Sequence, residues 1–244
     1  GSQPGHASRA PIPPVSDRKD KVKYQESKIN RKKFVSGQKN FGLGFNFCNF
    51  NASYRQTLME ATRDIPAEEL SALRNPATRR GAFDRLVGAY LRPLYWHARR
   101  LVVVHEDAED VVQETFIRAY DKIGTFRGGA GELGAWLYRI ATNTALTMLR
   151  RRRPGLFSSL DDVSRILASR VAEECGEDAD RTLVRFQQAI LELPLKQRLV
   201  FNLRYYDRMP YGQIARVLGQ REETLKVNYH HAVQKLKEKL TREL

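Results

Sequence analysis

Cysteine is nearly absent from this chain. Two in 244 residues, Cys48 and Cys175, are too few and too far apart for a disulfide framework. They form no CxxC and sit beside no His pair, so neither a metal site nor a cofactor is expected. A reducing compartment, the cytoplasm, suits such a chain. No apolar run approaches the roughly 20 residues of a membrane-spanning helix, so membrane insertion is not expected. The first residues lack the apolar centre of a secretion signal. Also missing are a glycine-rich phosphate loop followed by Lys and Ser or Thr, and any Ser, His and Asp set that spacing would single out. No catalytic constellation is therefore expected, and an enzyme is the least favoured class.

Positive charge is abundant. The net charge is +14, which makes a polyanion the natural partner. Its distribution is uneven. Residues 1–58 hold eleven Lys and Arg against three acids, more than half of the surplus. That segment also carries Pro4, Pro11, Pro13 and Pro14 and shows no hydrophobic period, so it is expected to be a disordered basic extension. The run FGLGFNFCNF at 41–50 reads equally as a short strand, a docking peptide or an upstream extension. Met59 is the first methionine, and helical pattern begins only after it.

From residue 66 onward the periods are helical throughout, which predicts an all-α fold. PAEELSALRN at 66–75 predicts a short helix with Pro66 in its first turn. Phe83, Leu86, Val87, Tyr90, Leu91, Leu94, Ala98 and Leu101 predict a helix over 80–103 with a kink or break at Pro93. His97 is expected to be a partly buried helix residue. Ala108, Val111, Val112, Thr115, Ala119 and Ile123 line one face of a helix over 106–122, while Asp107, Asp110 and Glu114 fall on another. Gly124, Gly128, Gly129, Gly131 and Gly134 predict a turn. A wide apolar stripe from Leu133 to Leu149 then predicts a helix over 133–152, closed by Arg150, Arg151, Arg152 and Arg153 before Pro154. Trp136 is placed in the core. The acid-rich segment 154–181 reads as a linker, either a solvated tether or a mimic of nucleic acid. Helical pattern resumes at 182, with Pro194 ending one helix. Ile214, Ala215 and Leu218, then Gly219, then Leu225, Tyr229, Ala232, Val233 and Leu236 fit a helix-turn-helix.

The ordered set DAEDVVQETFIRAY, TFRG and AWLYRIATN resembles region two of bacterial extracytoplasmic-function sigma factors, and YGQIARVLGQREETLKVNYHHAVQKLKEKL resembles their region four. The resemblance implies two small helical domains, 66–153 and 182–244, joined by a flexible linker over 154–181. It implies a non-enzymatic initiation factor that binds core RNA polymerase, recognises the minus-ten and minus-thirty-five promoter elements and promotes melting. An anti-sigma factor is an implied partner, and the cytoplasm an implied location. By resemblance Asp107, Asp110, Gln113 and Glu114 would meet the polymerase clamp, with Val111 or Phe116 as apolar anchors. Asn143 aligns with the base-reading asparagine of the minus-ten element, with Phe126 and Arg127 beside it and Arg150, Arg151 and Arg152 on phosphates. For the minus-thirty-five element, Glu223, Thr224, Lys226, Val227, Asn228 and His230 are the exposed positions of the first two turns. Lys226 or Asn228 would read bases, and His231 and Lys235 would meet phosphate. Arg is frequent in the family where this chain has Lys226 and Asn228. The alternative is a free-standing helix-turn-helix regulator that binds duplex DNA alone. An anti-sigma factor is a third reading, weakened by the absence of a metal-binding His and Cys signature.

Overall fold

The computed structural model describes residues 65–151 and 181–242, and these are helical with no strand among them. The helices, in order, are α1 (Ala67–Arg74), α2 (Arg79–Val102), α3 (His105–Lys122), α4 (Ala130–Arg151), α5 (Arg181–Leu191), α6 (Leu195–Phe201), α7 (Tyr211–Leu218) and α8 (Glu222–Arg242). A single 3₁₀ turn, Ile123–Thr125, follows α3, and a π-turn, Asn202–Tyr206, continues α6. The expectations for residues 1–58, for FGLGFNFCNF, for the linker and for Arg152 lie outside the described residues.

The predicted apolar stripes explain how α2, α3 and α4 pack on one another. Leu86, Leu94, Leu101, Val111, Phe116, Leu133, Leu137 and Ala141 are all enclosed between them. Edge-to-face rings at Phe83, Phe116 and Tyr120 close one end, with centroid separations of 6.2 and 4.9 Å from Phe83. Pro93 does not break α2: the helix runs through it for 24 residues. Pro93 is itself buried, so packing on both sides holds the segment helical despite the missing N–H.

α4 begins three residues before the expected start and takes in Gly131 and Gly134. Two contacts offset their poor propensity. The Glu132 carboxylate accepts the Gly129 N–H at 2.9 Å, the reach-back half of a capping box. A Cβ on Gly134 would lie 2.8 Å from the Tyr90 hydroxyl, so any other residue here would have to displace the Tyr90 side chain.

The helix-turn-helix forms as its pattern predicts. Gly219 closes α7 in the left-handed region at φ 66° and donates to the Ala215 carbonyl at 2.8 Å. Nothing lies within 4 Å of a Cβ built there, so the backbone angle rather than space demands glycine. α7 in turn rests on α4, and the apolar core continues from Leu137 and Ala145 into Leu203, Ile214, Val217 and Leu225.

A buried polar cluster crosses this junction. His97 is fully enclosed, a correction to the partly buried position expected of it. One ring nitrogen faces Asp207 Oδ2 at 3.1 Å and the other faces Thr142 Oγ1 at 2.9 Å. Thr142 donates its own proton to the Tyr138 carbonyl at 2.8 Å. Arg100 pairs with Asp207, and its guanidinium lies 4.8 Å from the centre of the Tyr206 ring. Gln187 on α5 donates to the Tyr206 hydroxyl at 2.8 Å. Burial alone would raise the Asp207 pKa. The positive Arg100, with help from His97, more than reverses this and holds the carboxyl below its ordinary value.

Candidate nucleic-acid and partner interfaces

α3 presents one polar stripe to solvent. Glu106, Asp110 and Asp121 are exposed, with Gln113, Glu114 and Ile117 half-exposed among them. Their three- and four-residue spacing follows from the apolar stripe behind them. Glu114 is partly neutralised by Arg118 one turn on, at 2.6 Å. Asp107, expected on this face, is only 4% exposed and is turned into the protein instead. Val111 and Phe116 are enclosed in the core and are not available as surface anchors, which corrects that expectation. Ile117 is the apolar side chain that does share the stripe. Its signal in the sequence is a lone Ile out of phase with the buried set.

On α4 the outward stripe is narrow. Trp136, Arg139, Ile140, Asn143, Thr147 and Arg150 recur at helical spacing along it, and Arg139, Asn143 and Arg150 are exposed. Arg151 is exposed at the helix end. Trp136 packs against the core as expected but stays half-exposed, with its ring 5.0 Å from that of Phe126. The turn bearing Phe126 and the exposed Arg127 is fastened by Arg74, which donates to the carbonyls of Phe126 at 3.2 Å and Gly128 at 2.8 Å. Arg139 lies within the AWLYRIATN run but between apolar residues, and only the direction of the packing shows that it shares the outward stripe with Asn143.

α8 packs by one seam only: Leu225, Ala232 and Leu236 are buried and Tyr229 is half-buried. At about 3.6 residues per turn, the direction opposite that seam passes through Glu223, Val227, His230 and Gln234. All four are exposed, as are Thr224, Lys226, His231 and Lys235. Asn228 lies at one flank of this face. Lys226 lies at the other, its ammonium 5.9 Å from the centre of the Tyr211 ring on α7. Among the described residues no group of His, Cys, Asp and Glu could hold a metal ion, and no helix is long and apolar enough to cross a membrane.

Comparison with known proteins matches residues 86–154 to Sigma-70 region 2 and residues 183–236 to Sigma-70 region 4. The ECF RNA polymerase sigma factor SigW of Bacillus subtilis is 32% identical over 167 residues, 65% of this chain and 89% of the relative. The RNA polymerase sigma-H factor of Pseudomonas aeruginosa is 34% identical over 145 residues, 56% of this chain and 75% of the relative. The chain belongs to the extracytoplasmic-function sigma factors. Among solved structures, the sigma factor RpoE in complex with the anti-sigma factor NepR, from Bartonella quintana, is similar with a TM-score of 0.52 and 26% identity, over 65% of this chain and 96% of that one. CnrH in complex with the cytosolic domain of CnrY shares the fold, with a TM-score of 0.51 at 23% identity, over 78% of this chain and 98% of that one. In this sigma factor the α3 stripe and the α4 stripe both fall in the region 2 match, and the exposed face of α8 up to Leu236 falls in the region 4 match. These matches favour the sigma factor over a free-standing regulator.

Proposed function

We propose that this sigma factor divides its work among three outward faces. Asp110, Gln113 and Glu114 on α3 dock on the clamp of core RNA polymerase, with Ile117 as the apolar anchor and Asp107 confined to an internal role. Asn143 on α4 reads a base extruded from the melted minus-ten strand. Arg139, Arg150 and Arg151 hold the neighbouring phosphates, and Phe126, Trp136 and Arg127 stand at the wall against which such a base can stack. α8 enters the major groove of the minus-thirty-five element. The chain then performs no bond-making chemistry of its own and acts where polymerase and DNA are, in the cytoplasm. The relatives solved with anti-sigma factors support an anti-sigma partner here as well.

The observation that carries this reading is the exposure of Asn143 in the middle of the narrow outward stripe of α4. A solvated asparagine flanked by arginines on one stripe, with an aromatic pair two turns away, has the composition that reading an unstacked base requires. Extruding a base costs a few kcal/mol of stacking and pairing. Hydrogen bonds to its edge, an aromatic wall and nearby phosphate contacts offset that cost. The α3 face is tested by Asp110→Arg. Because the side chain is exposed, folding should be unaffected, while affinity for core polymerase should fall by about 2 kcal/mol, roughly thirtyfold in Kd. Core binding and melting temperature measured side by side check this. Unchanged core affinity would remove α3 from the interface.

A further inference from the structure

Among the described residues, two large apolar side chains are exposed, Tyr205 at 37% and Val227 at 53%. Tyr205 is accounted for by its ring contacts, stacked on Phe201 at 5.1 Å and edge-on to Tyr206 at 4.9 Å. Val227 stands at the centre of the solvent face of α8, opposite the Leu225–Ala232–Leu236 seam. Its neighbours on that face are polar: Glu223 one turn before it, His230 and His231 one turn after. A β-branched residue is a poor choice for an exposed helix position, where it costs helix propensity and hydrates two methyl groups without return. It has one property that its polar neighbours lack. Its χ1 is nearly fixed in a helix, so its methyl groups are held in one place before any ligand arrives. In the major groove, the apolar feature on a base edge is the 5-methyl group of thymine.

We propose that Val227 is a specificity-determining residue of the upstream promoter element and that it selects a thymine by packing on its 5-methyl group. This rests on the reading of α8 as the helix that enters the minus-thirty-five duplex, and it moves the centre of readout from Lys226 and Asn228 to the axis through Val227. Lys226 lies at one flank beside Tyr211 and Asn228 at the other, so neither is as well placed as Val227 to meet a base edge head-on.

The test uses the full chain assembled with core RNA polymerase. A duplex library randomised through the upstream element is put through selection, and the selected sequence is synthesised with each upstream thymidine replaced in turn, on either strand, by deoxyuridine, which removes only the methyl group. At one position the wild-type holoenzyme should lose about three- to fivefold in affinity, the scale of one buried methyl group. Val227→Ala should show the same loss on the thymidine duplex and no further loss at that deoxyuridine. Alanine is the better helix former, so the variant keeps its fold. If no deoxyuridine position separates wild type from Val227→Ala, the thymine contact is overturned while α8 remains the reading helix. If the holoenzyme selects no upstream sequence at all, the assignment of α8 to that element falls, and the inference with it.

Discussion

α4 and α8 are of nearly equal length, 22 and 21 residues, and both face nucleic acid in the proposed function, yet they are held in opposite ways. α4 is packed by α2, α3 and α7 and keeps a single exposed row. α8 rests on α5, α6 and α7 along one seam and leaves most of its circumference in solvent. The width of the free arc decides what each can read. A duplex groove surrounds a helix, so reading it takes a broad face with several side chains side by side. A single extruded base needs one polar side chain in a rigid wall, and a narrow row on an immobilised helix supplies that. Rigidity matters more for α4, because a base held out of its stack must be met by groups already in position.

The largest way to break this contrast is to loosen what pins α4. Asp207→Asn takes the Asp207 charge away from the enclosed Arg100, and breaking a buried pair in this way costs about 3–5 kcal/mol. Chemical denaturation should show a loss of that size. The pH dependence has a definite sign. The folded Asp207 carboxyl titrates below its ordinary 3.8, so its stabilisation is fully present above about pH 4 and is lost as pH falls through the lower folded value. Melting temperature should therefore drop more steeply below pH 4 in the wild type than in Asp207→Asn. Equal slopes would mean that the ion pair does not hold the junction.

A smaller effect separates the two readers. Asn143→Ala removes one exposed side chain and should leave recruitment to a duplex promoter near normal while slowing strand opening about tenfold, roughly 1.4 kcal/mol. Permanganate footprinting on duplex and on pre-mismatched minus-ten templates checks this. A mismatched template should recover most of the lost opening. A defect of the same size in recruitment would erase the distinction between the helices.

The smallest effect is expected at the flank of α8. Lys226→Ala should weaken binding by about 1 kcal/mol or less, with little change in sequence preference, and make the log–log salt dependence shallower by roughly one unit. A salt titration of holoenzyme on selected and scrambled upstream elements measures both quantities. A loss confined to one base pair would return Lys226 to base readout.

How much of this is legible in the sequence depends on the range of the interaction. The helices of the described residues are periodic, and their ends fall within a few residues of expectation because apolar spacing and caps are local. The start of α4 departs from expectation because Gly131 and Gly134 argue for a turn until Tyr90, more than 40 residues away, is known to need that space. The same applies to His97, whose partner Asp207 lies 110 residues distant. On α3 the pattern separates an acid face from an apolar one correctly, but it cannot tell that Asp107 is enclosed by the chain around the helix start. Val227 is recognisable as an exposed position. What the sequence lacks is the direction of the packing seam, which alone makes that valine the centre of its face.

The Asp207 cluster has one more consequence. The two promoter elements lie about 25 base pairs apart, on the order of 85 Å along the duplex. A compact body of about 150 residues is roughly 40 Å across. If α4 and α8 read the two elements as proposed, they cannot occupy both while His97, Arg100 and Asp207 stay together. In the proposed function the cluster therefore has to part before both elements are read, and whatever holds it together is subtracted from the affinity for polymerase and DNA.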